Sequence, residues 1–134
     1  MTTSDIHIHP MTSSPDVIDR NAAHTLVAAP GYERLAKVLI QAHHQAAFGK
    51  GLERHANSLP FEKQRMLSIS HLLDSPDGMA YQVTKKMTAG LAMNDFHRCT
   101  AELYGAINYL AGIVVFLEDK QAALAPAACT ECRK

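Results

Sequence analysis

Three groups of residues have types and spacings that could do chemistry. Histidines and cysteines form the first: His7-x-His9 near the start, the adjacent pair His43-His44, and Cys129-x-x-Cys132 near the end. A structural zinc site needs four converging ligands, usually as two spaced pairs. Here a single CxxC stands without a second pair, and neighbouring histidines on a helix point about 100° apart. There is no HExxH and no paired ExxH of the kind that loads a di-metal bundle. No metal and no cofactor is expected, and the histidines read as solvent-facing.

The second group is nucleophiles and acids. Cys99 lies on the last helix, one turn before Leu103, where a thiol reads as a small core residue rather than a nucleophile. The chain contains no GxSxG, no P-loop and no GxGxxG. An all-helical nucleotide pyrophosphatase would need acidic clusters such as ExxE on facing helices to hold magnesium, and the acids here are scattered. The chain is therefore not expected to be an enzyme.

The third group is basic and aromatic. Tyr81, Gln82, Lys85 and Lys86 lie within two turns, and Lys50 sits between Gly49 and Gly51 with Arg54 and His55 one turn on. Cations neutralise phosphate charge, and a tyrosine face stacks on a base. Lys50, Arg54, Tyr81, Lys85 and Lys86 are the candidate ligand-binding residues for a phosphate-bearing nucleotide; the plainer alternative is a solvated helix face.

The elements that must position these groups read as helices throughout. Ser14-Pro15-Asp16 is a helix-start signal, followed by a short helix to about Ala29 that Pro30-Gly31 ends. From Tyr32, the positions Tyr32, Leu35, Leu39, Ala42 and Ala46 fall on one face. A third helix is expected from Pro60 to about Leu73, burying Phe61, Met66, Ile69, Leu72 and Leu73. A fourth, from Pro76 to Ala89, buries Met79, Val83 and Met87, with Gly90 as its stop. The last starts at Asn94 or Asp95 and reaches about Lys120. Residues 1–13 read as a disordered tail, 14–120 as one helical domain and 121–134 as a frayed tail. No strand-period segment and no internal repeat stands out.

The last helix is unusual. Leu103 to Leu117 is apolar almost all the way round, with Asn108 its one strongly polar side chain. A surface helix needs a wet face, so more than one partner must cover this one. Ala101, Gly105, Asn108 and Gly112 form a stripe of small residues that permits close helix approach. The expected assembly is an all-α, oligomeric helical bundle of four to five helices. Gly105, Asn108, Tyr109, Gly112 and Phe116 are its candidate subunit interface, with Asn108 fixing register or touching a ligand.

Composition narrows the class. Hydrophobic residues make up 47%, which suits a globular chain, and thirteen basic residues balance thirteen acidic ones. Neutrality excludes a DNA mimic and gives no basic excess for nucleic acid. Three cysteines make no disulfide framework, and an intracellular setting is expected. The N-terminus shows no signal-peptide core, and the apolar run falls short of the roughly 20 residues that span a bilayer, so no membrane association is expected.

The strings ERHANSLPFEKQ, YQVTKKM and AELYGAINYLAG, spread over residues 50–115, resemble a group of small proteins encoded by tailed bacteriophages. The resemblance implies an accessory protein in the cytoplasm of a bacterial host. By class it is similar to phage anti-defence proteins that sequester cyclic nucleotide signals, although the helical-hairpin pattern of the anti-CBASS sponges is absent. The resemblance thus implies a non-enzymatic homo-oligomer that binds and sequesters a signal nucleotide, or alternatively a protein-interaction module that inhibits a host defence enzyme.

Overall fold

The computed structural model describes residues 28–49 and 59–125. Among them are four α-helices and no strand: α1 (Glu33–Phe48), α2 (Arg65–Leu73), α3 (Asp77–Leu91) and α4 (Phe96–Leu124), with a short 3-10 turn at Phe61–Lys63. The first helix expected from sequence, from Ser14, lies outside the described residues, as do both tails apart from the last turn of α4.

Local chemistry sets the helix ends. Asp95 accepts a hydrogen bond from the main-chain N–H of Arg98 at 2.7 Å, satisfying one of the free donors at the start of α4. Ser75 Oγ accepts from Asp77 N–H at 3.1 Å ahead of α3. Asp74 closes α2 in the left-handed region (φ 53°), and the next residue returns its N–H to the Ser70 carbonyl at 3.0 Å. Aspartate tolerates that conformation better than most side chains.

Three boundaries differ from the sequence reading. The helix expected from Pro60 is interrupted at Gln64, whose extended backbone (φ −68°, ψ 156°) separates the 3-10 turn from α2 and tucks its side chain inside. Gly90 does not stop α3; it lies within the helix and is buried against the start of α4. A β-carbon there would lie 3.2 Å from the Cys99 carbonyl oxygen and from Glu102 Cβ. α4 also runs four residues past Lys120.

α4 is the spine. α3 packs antiparallel along it, bringing Met79 to Gly112 and Lys86 to Gly105. α1 packs antiparallel on another side, joined by Gln45 Nε2 to the Ala101 carbonyl at 3.0 Å and by Asn108 Nδ2 to the Ala42 carbonyl at 2.9 Å. Leu67, Met79 and Phe116 form the buried core, with Phe61, Met66, Tyr109, Ile113 and Val115 packed against it. Each such side chain contributes about 1.5–3 kcal/mol when fully buried.

The buried faces of the shorter helices are not the ones their leucines indicate. In α1 the buried residues are Ala36 and Ala42, while Tyr32 and Leu35 are exposed. Alanines allow the close approach to α4, with Leu35 exposed and Leu39 only partly covered. In α2, Leu67 and Ser70 face inward, whereas Ile69, Leu72 and Leu73 face out. Met87 on α3 is likewise exposed, although Met79 and Val83 are buried as expected.

Candidate functional site

Where α1 passes over α4, the two amide bonds from Gln45 and Asn108 hold the helices together on one flank. Beside that contact, the chain returns at Leu59 and Pro60 and turns through Phe61. Between these three segments lies a cleft of about 770 Å³. Leu39, His43 and Ala46 form one wall, Leu59, Pro60 and Phe61 the second, and Ile107, Asn108 and Ala111 the floor on α4.

The lining is mostly apolar, and its polar groups are few. Asn108 is already engaged with the Ala42 carbonyl, and Gln64 is largely buried. His43 is exposed, its ring 6.5 Å from the Phe48 ring and edge-on to it. Among the described residues, the cleft therefore offers shape and apolar contact, with the imidazole of His43 at its edge and no other charge-bearing side chain in its lining.

A smaller cavity of about 260 Å³ lies across the core, between α2 and α3, with Arg65, Gln82 and Tyr109 at its rim. Met66, Met79 and Ser70 line it more deeply.

Of the candidate nucleotide-binding residues, the three that are described, Tyr81, Lys85 and Lys86, do not share one face. Tyr81 and Lys85 are exposed one turn apart on the same side of α3. Lys86 turns away from them by about 100° and donates from Nζ to Glu102 Oε2 at 3.1 Å, partly buried against Gly105. That ion pair spends the charge inside the chain. Lys50 and Arg54 lie outside the described residues.

The candidate interface residues are also occupied within the chain. Gly105, Gly112 and Phe116 are buried by this chain's own helices, Asn108 is tied to α1, and Tyr109 packs on the core. The stripe of small residues is a line of helix contact, as its spacing indicates, but the helices it meets are α3 and α1. What stays uncovered on α4 is the opposite side: Leu110, Val114, Leu117 and Leu124 are each about half exposed or more.

The histidines are dispersed. His71 Nε2 lies 3.0 Å from Asp119 Oδ2, its ring 5.1 Å from that of Phe116. His44 leans on Phe48 and His97 on Phe96. No group of three or more metal-binding side chains converges among the described residues, and Cys129 and Cys132 lie outside them. Cys99 is a free, half-buried thiol.

α4 is, by length and composition, long and apolar enough to cross a membrane, and 22% of its most apolar 18-residue window is buried. The 15-residue run seen in sequence falls short of that length, but the helix containing it does not.

No known protein family, curated protein or solved structure matches the chain.

Proposed function

We propose that this chain is a non-enzymatic interaction module whose cleft between α1, the Leu59–Phe61 stretch and α4 takes an apolar helical segment of another protein. The observation that carries this reading is the cleft itself: open, about 770 Å³, and walled by aliphatic side chains, alanines and Phe61. Amphipathic helices bind in such grooves through side chains three and four residues apart. The resemblance to phage accessory proteins supports a bacterial host enzyme as that partner.

The test is a photo-crosslinker placed at Ala111 in the full chain, in bacterial lysate, with Leu39→Glu as the paired variant. Leu39 lines the cleft and is only partly covered, so the charge alters the cleft without entering the core. The reading expects a discrete crosslinked protein that the variant loses. Equal crosslinking by both chains would sink it.

A second reading keeps the signal nucleotide. It is favoured by Tyr81 and Lys85, which present an exposed ring and an exposed ammonium on one face of α3. Calorimetry against cyclic and linear nucleotides tests it: heat that disappears in Tyr81→Ala and Lys85→Ala supports the sponge, and no heat with any nucleotide removes it.

A further inference from the structure

Counted along α4, leucine recurs at every seventh residue: Leu103, Leu110, Leu117 and Leu124. Ile107, Val114 and Gln121 fall between them, each four residues after one leucine and three before the next. This alternation of three and four is the seam pattern of a two-stranded coiled coil, with leucine at d and a β-branched residue at a. The structure places that seam in the open. Leu110 is 49% exposed, Val114 54%, Leu117 55% and Leu124 76%. Gln121 is exposed as well, and Leu103 and Ile107 are half-buried. From Leu110 on, the seam lies away from the α3 contact: Leu110 is two residues before Gly112, about 200° round the helix from the side packed on α3, whereas Leu103 stands beside Gly90 and Ile107 borders the cleft.

We infer that α4 pairs in parallel with α4 of a second copy of this chain along Leu103–Leu124. Isoleucine or valine at a with leucine at d favours two strands over three or four, and one polar residue at an a position fixes register at some cost in stability. Gln121 is that residue, because in a parallel pair it meets its own counterpart. The run covers three heptads, the lower end of the length at which such a pattern argues for a coiled coil, and its last heptad carries charges at e and g, Glu118 and Lys120.

The area is also sufficient. The four most open seam side chains expose on the order of 400 Å² per copy, about half of the ~800 Å² per partner of a standard interface. Leu103, Ile107, Gln121 and the flanking Ala111 supply more. The far side of the helix is fastened within the chain, by Asp119 to His71 and by Lys120 to Asp74. The C-terminal half of the seam is therefore presented on a braced helix. This pairing goes beyond the cleft's partner: the two surfaces share Ile107 and Ala111 at one edge, and the exposed seam from Leu110 to Leu124 lies outside the cleft lining.

Sedimentation equilibrium of the full chain tests the inference. The expected mass at micromolar concentration is twice 14.6 kDa. Leu117→Glu is expected to raise the dissociation constant ~100-fold or more, the loss of one leucine burial per copy, while leaving the helical circular dichroism unchanged. Leu39→Glu, in the cleft, leaves the mass at two chains, so the two readings fail separately. For orientation, Gln121→Cys in a chain carrying Cys99→Ala, Cys129→Ala and Cys132→Ala is expected to form a disulfide-linked pair on mild oxidation. A single-chain mass for the unmodified protein at ~50 μM overturns the pairing, as does an unchanged dissociation constant for Leu117→Glu. A lone chain that instead sediments with neutral phosphatidylcholine vesicles assigns the apolar face to lipid and overturns it too. Absence of the Gln121→Cys link overturns the parallel arrangement.

Discussion

The side-chain amide of Asn108 donates to the main-chain carbonyl of Ala42 at 2.9 Å, across the α1–α4 contact. It is the one strongly polar side chain in a long apolar run, and its hydrogen bond goes to a neighbouring helix of the same chain. With Gln45 bound to the Ala101 carbonyl, it fixes how α1 slides along α4, and so sets the width of the cleft. Asn108→Ala removes the donor and is expected to cost about 1 kcal/mol. Asn108→Asp is expected to cost more, because a carboxylate then faces a carbonyl in a half-buried site. Urea unfolding of the three chains side by side checks the order; equal midpoints for all three would contradict it.

How much of the fold and the site is legible in the sequence differs by level. The starts of α3 and α4 are: the serine at 75 and the aspartate at 95 signal them locally, whereas α2 begins after Gln64 with no side-chain cap. Buried faces are not, because α1 and α2 carry leucines on several sides: α1 is buried through Ala36 and Ala42, and of the α2 leucines only Leu67 turns inward, beside Ser70. The heptad of leucines stands in plain view in α4, but the stripe of glycines draws attention to the opposite side, which the chain uses for itself. The pairing of Lys86 with Glu102 joins residues 16 apart, and the cleft is assembled from three separate segments. Neither leaves a local signature.

Leu67 and Leu72 lie on opposite sides of α2. Leu67 is fully buried and belongs to the core with Met79 and Phe116, whereas Leu72 is 83% exposed. Leu67→Ala is expected to destabilise by about 2–5 kcal/mol, and Leu72→Ala to stay within about 0.5 kcal/mol of the parent. Thermal unfolding of both variants decides it. A large loss at Leu72 would mean that the exposed side of α2 is covered in solution.

The start of α1 has a charge dependence of definite sign. The Glu33 carboxyl is held below the usual carboxylate range by hydrogen bonds from its own main-chain N–H and from that of Gly31, with slight desolvation opposing. A carboxyl whose folded pKa is depressed adds stability above its unfolded pKa and loses it as pH falls through the folded one. Glu33→Gln is therefore expected to unfold at a lower temperature near neutral pH, with the gap closing as the solution is acidified below the ordinary carboxylate range. Melting curves across that range test it; a gap that widens in acid has the wrong sign.

Gly105 and Gly112 sit two turns apart on one side of α4, and alanine should not be equivalent at the two. At Gly105 a β-carbon would lie 3.0 Å from Cδ and Cε of Lys86, the outer part of a long chain that can swing aside. Alanine also favours helix over glycine by about 1 kcal/mol, so Gly105→Ala is expected near neutral, with the Lys86–Glu102 pair weakened. At Gly112 the same atom would lie 2.8 Å from Met79 Sδ and 3.2 Å from Met66 Cε. Met79 is almost fully buried, so it has nowhere to go without disturbing Leu67 and Phe116. Overpacking of that kind costs about 1–3 kcal/mol, more than the helix preference returns. Gly112→Ala should therefore lower the unfolding midpoint clearly where Gly105→Ala does not. If the two shift alike, the α3–α4 contact is looser than the Met79–Gly112 approach implies.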